Sequence, residues 1–327
     1  MKTYDRQEAE KKINELGRTD RAFFFIISYD QSRVYIEETE NIDSDELLVS
    51  FPEFSNIGHG MTCPDIAPTL EFSLPDRERY ERSINLVKRN QREGNSYLAN
   101  LTCRMPIKTN LTMRDIFLRS QAKYRCWLRD RFVCFSPETF VKVEKGVISS
   151  FPMKGTLDAT LPNAEHMLMD NRKEAAEHAT IVDLIRNDLS QVAEQVRVEK
   201  YRYVEHLATH KGEILQTSSE ITGTLTDYYR EHLGEMLLRL LPAGSITGAP
   251  KPKTMQIISE AEDYERGFYT GIMGYSKGGD MDTAVMIRFI DCENGQLFYK
   301  AGGGITAQSD NDDEYNEVIE KIYVPIY

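Results

Sequence analysis

Two glutamate pairs share one spacing: Glu174 with Glu177, and Glu314 with Glu317. Three residues apart on a helix, both members of a pair face one side. Four carboxylates brought together repel one another unless a cation joins them. An all-oxygen set suits Mg2+, which keeps several waters and shares its other positions with a substrate's anionic groups. The same spacing is common on solvated helix faces, so the pairs alone leave a metal role open. Lys154 lies in Pro152-Met153-Lys154-Gly155-Thr156, just after the apolar stretch Val147–Phe151. Burial there lowers an amine's pKa and makes a nucleophile of it. A snorkelling surface lysine fits the same pattern. Arg288 ends the apolar run Ala284-Val285-Met286-Ile287. A guanidinium there needs an anionic partner, either a structural carboxylate or a ligand.

Two stretches are built to meet anions through backbone. Ala301-Gly302-Gly303-Gly304-Ile305 follows a strand pattern, and its glycines open N–H groups to a close ligand. Gly244-Ser245-Ile246-Thr247-Gly248-Ala249-Pro250-Lys251 reads as a loop entering a helix at Pro250. Helix N-termini favour anions. An ordinary turn and an ordinary helix start remain open for these two.

The elements that must position these residues follow from periodicity. Residues 5–17, 76–93, 112–122, 227–240 and 251–262 carry helical spacing, and a longer pattern from 164 to 195 reads as two helices. A last helix covers 312–322. Strands are expected at 22–27 and 32–36, paired across Asp30-Gln31, and at 96–103, 131–135 and 140–148, the last broken by Glu144-Lys145-Gly146. Further extended segments are expected at 196–225, 271–275, 282–290 and 296–301, with 41–72 irregular. Strand pairs alternate irregularly with helices, which favours an α+β fold with antiparallel sheets.

The chain has 327 residues, 40% hydrophobic and 28% charged, enough for a core that needs no disulfide or metal staple. Its net charge of −12 disfavours nucleic acid and anionic lipid as partners. An acidic protein that binds an anion must build a local positive site against its own field. Five scattered cysteines give neither a disulfide framework nor a zinc pattern, and fit a reducing cytoplasm. The polar N-terminus has no signal-peptide core, and the apolar run Ala22–Ile27 is too short to span a membrane.

The order of the motifs carries more than any one of them. Asn95–Thr102, Ser136-Pro137-Glu138, Pro152–Thr156, Ile181–Asp188, Gly244–Lys251, Tyr269–Tyr275, Gly279–Thr283, Arg288, Ala301–Ile305 and Glu314–Glu317 occur in sequence. This order resembles the chorismate-binding family, which includes component I of anthranilate synthase and of aminodeoxychorismate synthase, and the isochorismate and salicylate synthases. The resemblance covers roughly residues 75–327. It implies large antiparallel sheets packed as a sandwich with helices outside. It also implies one catalytic domain over 1–327, of which 1–74 is a short, less family-like part. Mg2+ is then expected on Glu177 and Glu317, with Glu174 and Glu314 as supporting ligands. Arg288, Tyr269, Lys321 and the backbone of Gly302, Gly303 and Gly304 are expected to hold chorismate, with Thr247 and Thr156 in the same pocket.

One position separates the family's chemistries. In the middle of this motif anthranilate synthases carry alanine and aminodeoxychorismate synthases carry lysine; this chain has Lys154. The resemblance implies that the lysine attacks chorismate C2, the C4 hydroxyl leaves, and ammonia then attacks C4 and expels the lysine. Glu138 is the implied acid for the hydroxyl, sharing one proton with Lys154 in a dry pocket. No cysteine lies in a Gly-x-Cys-x-Gly elbow. Ammonia is therefore expected from a separate glutamine amidotransferase subunit, on a route to p-aminobenzoate and folate. Anthranilate synthase component I is the alternative within the family, and a non-catalytic chorismate-binding subunit the alternative outside catalysis. Three departures stand out. Gln216 occupies the family's usual histidine position, Ala243 replaces a frequent glycine, and no counterpart of a Leu-Leu-Glu-Ser tryptophan pocket is present, so tryptophan inhibition is not expected.

Overall fold

The computed structural model describes residues 2–209 and 212–326. Its core is two antiparallel sheets. The first has ten strands, running in space Thr3–Tyr4, Val34–Glu38, Phe23–Ile27, Ile272–Lys277, Asp280–Val285, Thr139–Glu144, Val147–Ser150, Gly212–Leu225 and Met153–Asp158, with Ala193–Thr209 also paired to Gly212–Leu225. The second has eight: Gly248–Ala249, Leu98–Thr109, Gln296–Ile305, Phe289–Glu293, Phe132–Ser136, Tyr124–Leu128 and Leu47–Ser50, with Leu70–Phe72 beside Leu98–Thr109.

Residue alternation shows how the layers stack. In Phe23–Ile27 every residue is buried. Phe23, Phe25 and Ile27 pack with Ile13 and Leu237 from helices Arg6–Gly17 and Leu233–Leu240, and with Ile185 of helix Arg172–Leu189. Phe24 and Ile26 point the other way, into a cluster with Val49, Cys126, Phe132 and Phe289 of the second sheet. The second sheet's far face, with Leu101, Met105 and Tyr299, packs on Ile84, Phe117, Ile257 and Val318 from four more helices. The expected sandwich with helices outside is what the structure shows. A strand covered on both faces reads as a continuous apolar run, as this one does.

Several local expectations are corrected. Leu47–Ser50 is a strand inside the stretch read as irregular, and Tyr124–Leu128 is a strand where none was assigned. These short segments pair with each other, and Tyr124–Leu128 pairs also with Phe132–Ser136. The helix read over 227–240 breaks at His232, and the pattern read to 195 ends at Leu189. The single strand expected at 282–290 is two, split at Met286–Arg288, where the chain leaves one sheet for the other. The residues flanking the split, 283–285 and 289–290, are all buried, so hydropathy conceals the break. The expected strand at 296–301 runs on to Ile305 and takes in the glycine run. In the hairpin read over 196–225, residues 210–211 lie outside the described residues.

Close approach explains one glycine near the site. Gly248 has φ +109°, and a Cβ there would collide with the Leu98 carbonyl on the paired strand. Gly248→Ala is expected to cost about 3 kcal/mol or more, from strain and overpacking together. Chemical denaturation measures it; a change under about 1 kcal/mol would contradict the close packing seen here.

Candidate active site

The chain crosses between the sheets at two neighbouring places, and each crossing carries a polar side chain. Phe132–Ser136 ends in the second sheet and Thr139–Glu144 begins in the first, so Pro137-Glu138 is a bridge. Proline cannot continue a ladder, which suits the exit. The second bridge is Met286-Ile287-Arg288, with Arg288 in the left-handed region at φ +54°. Backbone bonds lock them together: Val285 N–H donates to Glu138 O at 3.1 Å, and Phe135 N–H to Arg288 O at 3.1 Å. Glu138 and Arg288 both open onto a pocket of about 600 Å³ where the two sheets diverge.

Lys154 enters this pocket from the Met153–Asp158 strand. Pairing with Gly212–Leu225 slips by one residue at Gly155, whose φ is +71°. Such a glycine bulge re-aims the flanking side chain. The Thr217 hydroxyl bonds the Lys154 carbonyl and fixes the bulge. The Lys154 ammonium donates to Glu177 Oε2 at 3.1 Å. Desolvation pulls its pKa down, but Glu177, with Glu317 and Glu174 behind it, more than reverses this, and the net shift is upward. The expected direct pairing of Lys154 with Glu138 is not formed. Glu177 takes the Lys154 ammonium instead, and Glu138 is engaged by the Ser245 hydroxyl at 2.8 Å. Burial pushes the Glu138 carboxyl up, partly offset by Ser245, Lys154, Lys321 and Arg288.

The opposite wall is cationic and rich in donors. Lys321 donates to Gly302 O at 3.0 Å and to Glu317 Oε1 at 2.6 Å. Arg288 donates to Lys321 O at 2.9 Å, and among the described residues it has no carboxylate in ion-pair range. Gly302 faces Thr102 in register, yet Thr102 N–H donates to Glu262 at 2.8 Å and Gly302 O accepts from Lys321. The Gly302–Thr102 pair is therefore non-hydrogen-bonded, and both backbone groups of Gly302 point away from that neighbour. Gly304, two residues on, shares this side. The strand on that side starts only at Phe289, opposite Lys300, so the edge beyond is open and faces the pocket. Gly303 points its N–H the other way, into the ladder.

The four carboxylates come from two helices that begin the same way. Asn171 caps one and Asp310 the other, which puts Glu174 and Glu314 in first turns, where the helix dipole favours negative charge. Burial first and like charge second push the Glu174 carboxyl up. The Glu314 carboxyl is also raised, by burial and by neighbours that include Glu317. Burial alone would raise Glu317, but Lys321 outweighs it and the net shift is downward. Glu314 is 3% exposed, and its Oε2 has no partner. A Cβ at Gly303 would stand 3.5 Å from Glu314 Oε2 and 3.5 Å from Glu317 Oε1, so the glycine leaves the space between them clear. Among the described residues no three acidic, histidine or cysteine groups close on one point, and lysines cover oxygens of Glu177 and Glu317. The all-oxygen set, its mutual repulsion and the orphaned buried oxygen fit a hard divalent cation.

Of the residues expected from sequence, Lys154, Glu138, Arg288, Tyr269, Lys321, Gly302, Gly304, Thr156 and all four glutamates line this one pocket. Thr247 does not: it is fully buried behind the wall, with its hydroxyl unpartnered. Gly303 touches the site only through the clearance it leaves. Four contributors went unassigned. Ser245 holds Glu138, and Lys173 stands at the mouth beside both glutamate pairs. Gln216 lines the pocket with a buried, unpartnered Nε2 donor, which suits an acceptor on a ligand. His178 is fully buried and bonds Ser219 at 2.6 Å, pinning the Glu174–Glu177 helix to the Gly212–Leu225 strand. Burial lowers its pKa to about 4, so it stays neutral in this role. Gln216, at the family's usual histidine position, Ser245, in the Gly244–Lys251 stretch, and Lys173, adjacent to Glu174, carried a signal in sequence; His178 carried none.

A family described as chorismate binding enzyme matches residues 62–326. An uncharacterized PabA-like protein of Pasteurella multocida is 45% identical over 97% of this chain and 98% of its own length. Aminodeoxychorismate synthase component 1 of Escherichia coli is 34% identical over 75% of this chain, and the match takes in 56% of that protein. Anthranilate synthase component I of Streptococcus pneumoniae superimposes with a TM-score of 0.76, over 96% of this chain and 84% of its own, at 23% identity, a likeness of fold. No described helix is long and apolar enough to cross a membrane.

Proposed function

Because the chain belongs to the chorismate-binding enzyme family, we propose that this chorismate-utilising enzyme replaces the C4 hydroxyl of chorismate with an amino group, giving 4-amino-4-deoxychorismate. One observation carries the reading. An amine, Lys154, stands in the pocket against Gly304, on the same cavity as the acid Glu138 and the unpaired guanidinium of Arg288.

Arg288, Lys321 and the free N–H groups of Gly302 and Gly304 orient the substrate's carboxylates. This is how a chain of net charge −12 accepts a dianion. Lys154, as free amine, attacks C2 as the ring double bonds shift and the C4 hydroxyl takes the Glu138 proton and leaves as water. Ammonia then attacks C4, the double bonds shift back, and the Lys154 nitrogen leaves C2. The charged pair with Glu177 is the resting arrangement, and the amine becomes nucleophilic once that carboxylate is neutralised from elsewhere. Glu177 and Glu317, with Glu174 and Glu314 beside them, would hold Mg2+, which would offset the carboxylate charge there and stabilise a substrate carboxylate. Ammonia comes from a separate glutamine amidotransferase subunit, and the product serves p-aminobenzoate and folate synthesis.

The test is product identity. The purified chain is incubated with chorismate, magnesium chloride and ammonium chloride. The expected product gives p-aminobenzoate when a lyase is added. Fluorescent anthranilate, or unconsumed chorismate, would overturn the reading. The cation has its own readout. Saturating magnesium chloride is expected to raise Tm by roughly 2–5 °C, and Glu317→Gln to remove the rise. An equal rise in that variant would take Glu317 out of the cation site.

A further inference from the structure

A second cavity, of about 20 Å³, lies behind Glu138. It shares Glu138, Pro152 and Ser245 with the main pocket, so the 2.8 Å Glu138–Ser245 hydrogen bond stands between the two spaces. The volume holds about one water-sized molecule. Most of its wall is apolar, from Phe140, Val141, Ile185 and Leu189 among others. Its other polar groups are committed. Ser150 donates to Phe140 O at 2.8 Å, and Asp188 is matched by Lys251 at 2.7 Å. Glu138 alone presents a carboxyl with no cation in ion-pair range among the described residues. Such a wall favours a small neutral guest with N–H or O–H donors over an ion.

We propose that this cavity is the holding site for one molecule of ammonia, with Glu138 and Ser245 as the gate to the main pocket. The proposal rests on the amination reading and adds to it where the second nucleophile waits. It also closes the proton balance. Glu138 gives its proton to the departing C4 hydroxyl and becomes a carboxylate. Ammonia, hydrogen-bonded to that carboxylate, forms the bond to C4 with its lone pair. The bond between C2 and the Lys154 nitrogen breaks, and its electron pair leaves with the neutral amine. The new C4 ammonium returns one proton to Glu138. Chorismate and ammonia become 4-amino-4-deoxychorismate and water, and both side chains end as they began.

Filling the cavity tests this. Val141→Ile adds a methylene to the wall, and Ser150→Val adds bulk from another side. Steady-state rates are measured against ammonium chloride at saturating chorismate, and against chorismate at saturating ammonium chloride. In whichever filled variant is folded, KM for ammonium is expected to rise roughly tenfold with KM for chorismate unchanged. An unchanged ammonium KM in both filled variants would mean that the cavity holds only water, and would overturn the proposal. Equal rises in both KM values would mark a general distortion of the site and count against it as well. If the wild type makes no amino product from ammonium, the amination reading has failed, and the proposal falls with it.

Discussion

Lys154→Ala is expected to lose amination by at least on the order of 10³-fold in kcat, since Lys321 and Lys300 are engaged by Glu317 and Asp291 and Lys173 is exposed at the mouth. KM for chorismate should change little, because Arg288, Lys321 and the Gly302 and Gly304 backbone remain. Lys154→Arg should fail equally, because a guanidinium stays charged. The fold should tolerate the loss. The Lys154–Glu177 pair has side-chain exposures of 25% and 21%, and solvent screening limits what it contributes. Acid-quenched wild type should show added mass equal to chorismate less water, mapped to the segment that carries Lys154. Amination by Lys154→Ala within tenfold of wild type would remove the covalent route.

Glu138→Gln is expected to lower kcat by about 10²–10⁴-fold, the usual range for a positioned acid. Its pH behaviour is more telling. Burial raises the Glu138 pKa, and the working form is protonated. Activity is thus retained below the raised value and declines as pH rises through it. Glutamine cannot titrate, so this alkaline limb should vanish in the variant, while the limb from Lys154 deprotonation remains. An unchanged alkaline limb would remove Glu138 from the acid role. Stability should fall in the same direction of pH. Below the ordinary carboxylate value both native and unfolded chains hold the proton. As pH rises from there to the raised native value, the unfolded chain releases its proton first, and native stability falls. Glu138→Gln should therefore match wild type in Tm near pH 4 and exceed it at pH 7. A variant less stable than wild type at pH 7 would show that the charged carboxylate is better satisfied than its burial implies.

Local pattern made much of this protein readable. Apolar residues at helical spacing marked the helices Arg6–Gly17 and Arg77–Arg92 to within a residue or two. The repeated Glu-x-x-Glu spacing put both members of each pair on one helical face, and the caps Asn171 and Asp310 set those faces in first turns. Short strands were harder. Leu47–Ser50 is a strand because it pairs with Tyr124–Leu128, which also pairs with Phe132–Ser136, and a four-residue apolar segment states no such partner. The crossing at Met286–Arg288 was hidden because the residues on both sides of it are buried.

The sequence by itself determined the family, the helical faces and the presence of one lysine in the Pro152–Thr156 motif. Those properties rest on residue types and on neighbours a few positions apart. Only the tertiary structure decided who meets whom. Lys154 turned out to face Glu177, 23 residues away, and Glu138 to face Ser245, 107 away. It also decided that Gly302 and Gly304 open to the pocket while Gly303 turns into the ladder, and that Thr247 stays behind the wall. The reason is geometric. Side-chain partners across a sandwich are set by sheet register, by the Gly155 bulge and by where the chain crosses between sheets, and none of these is a property of any short stretch of sequence.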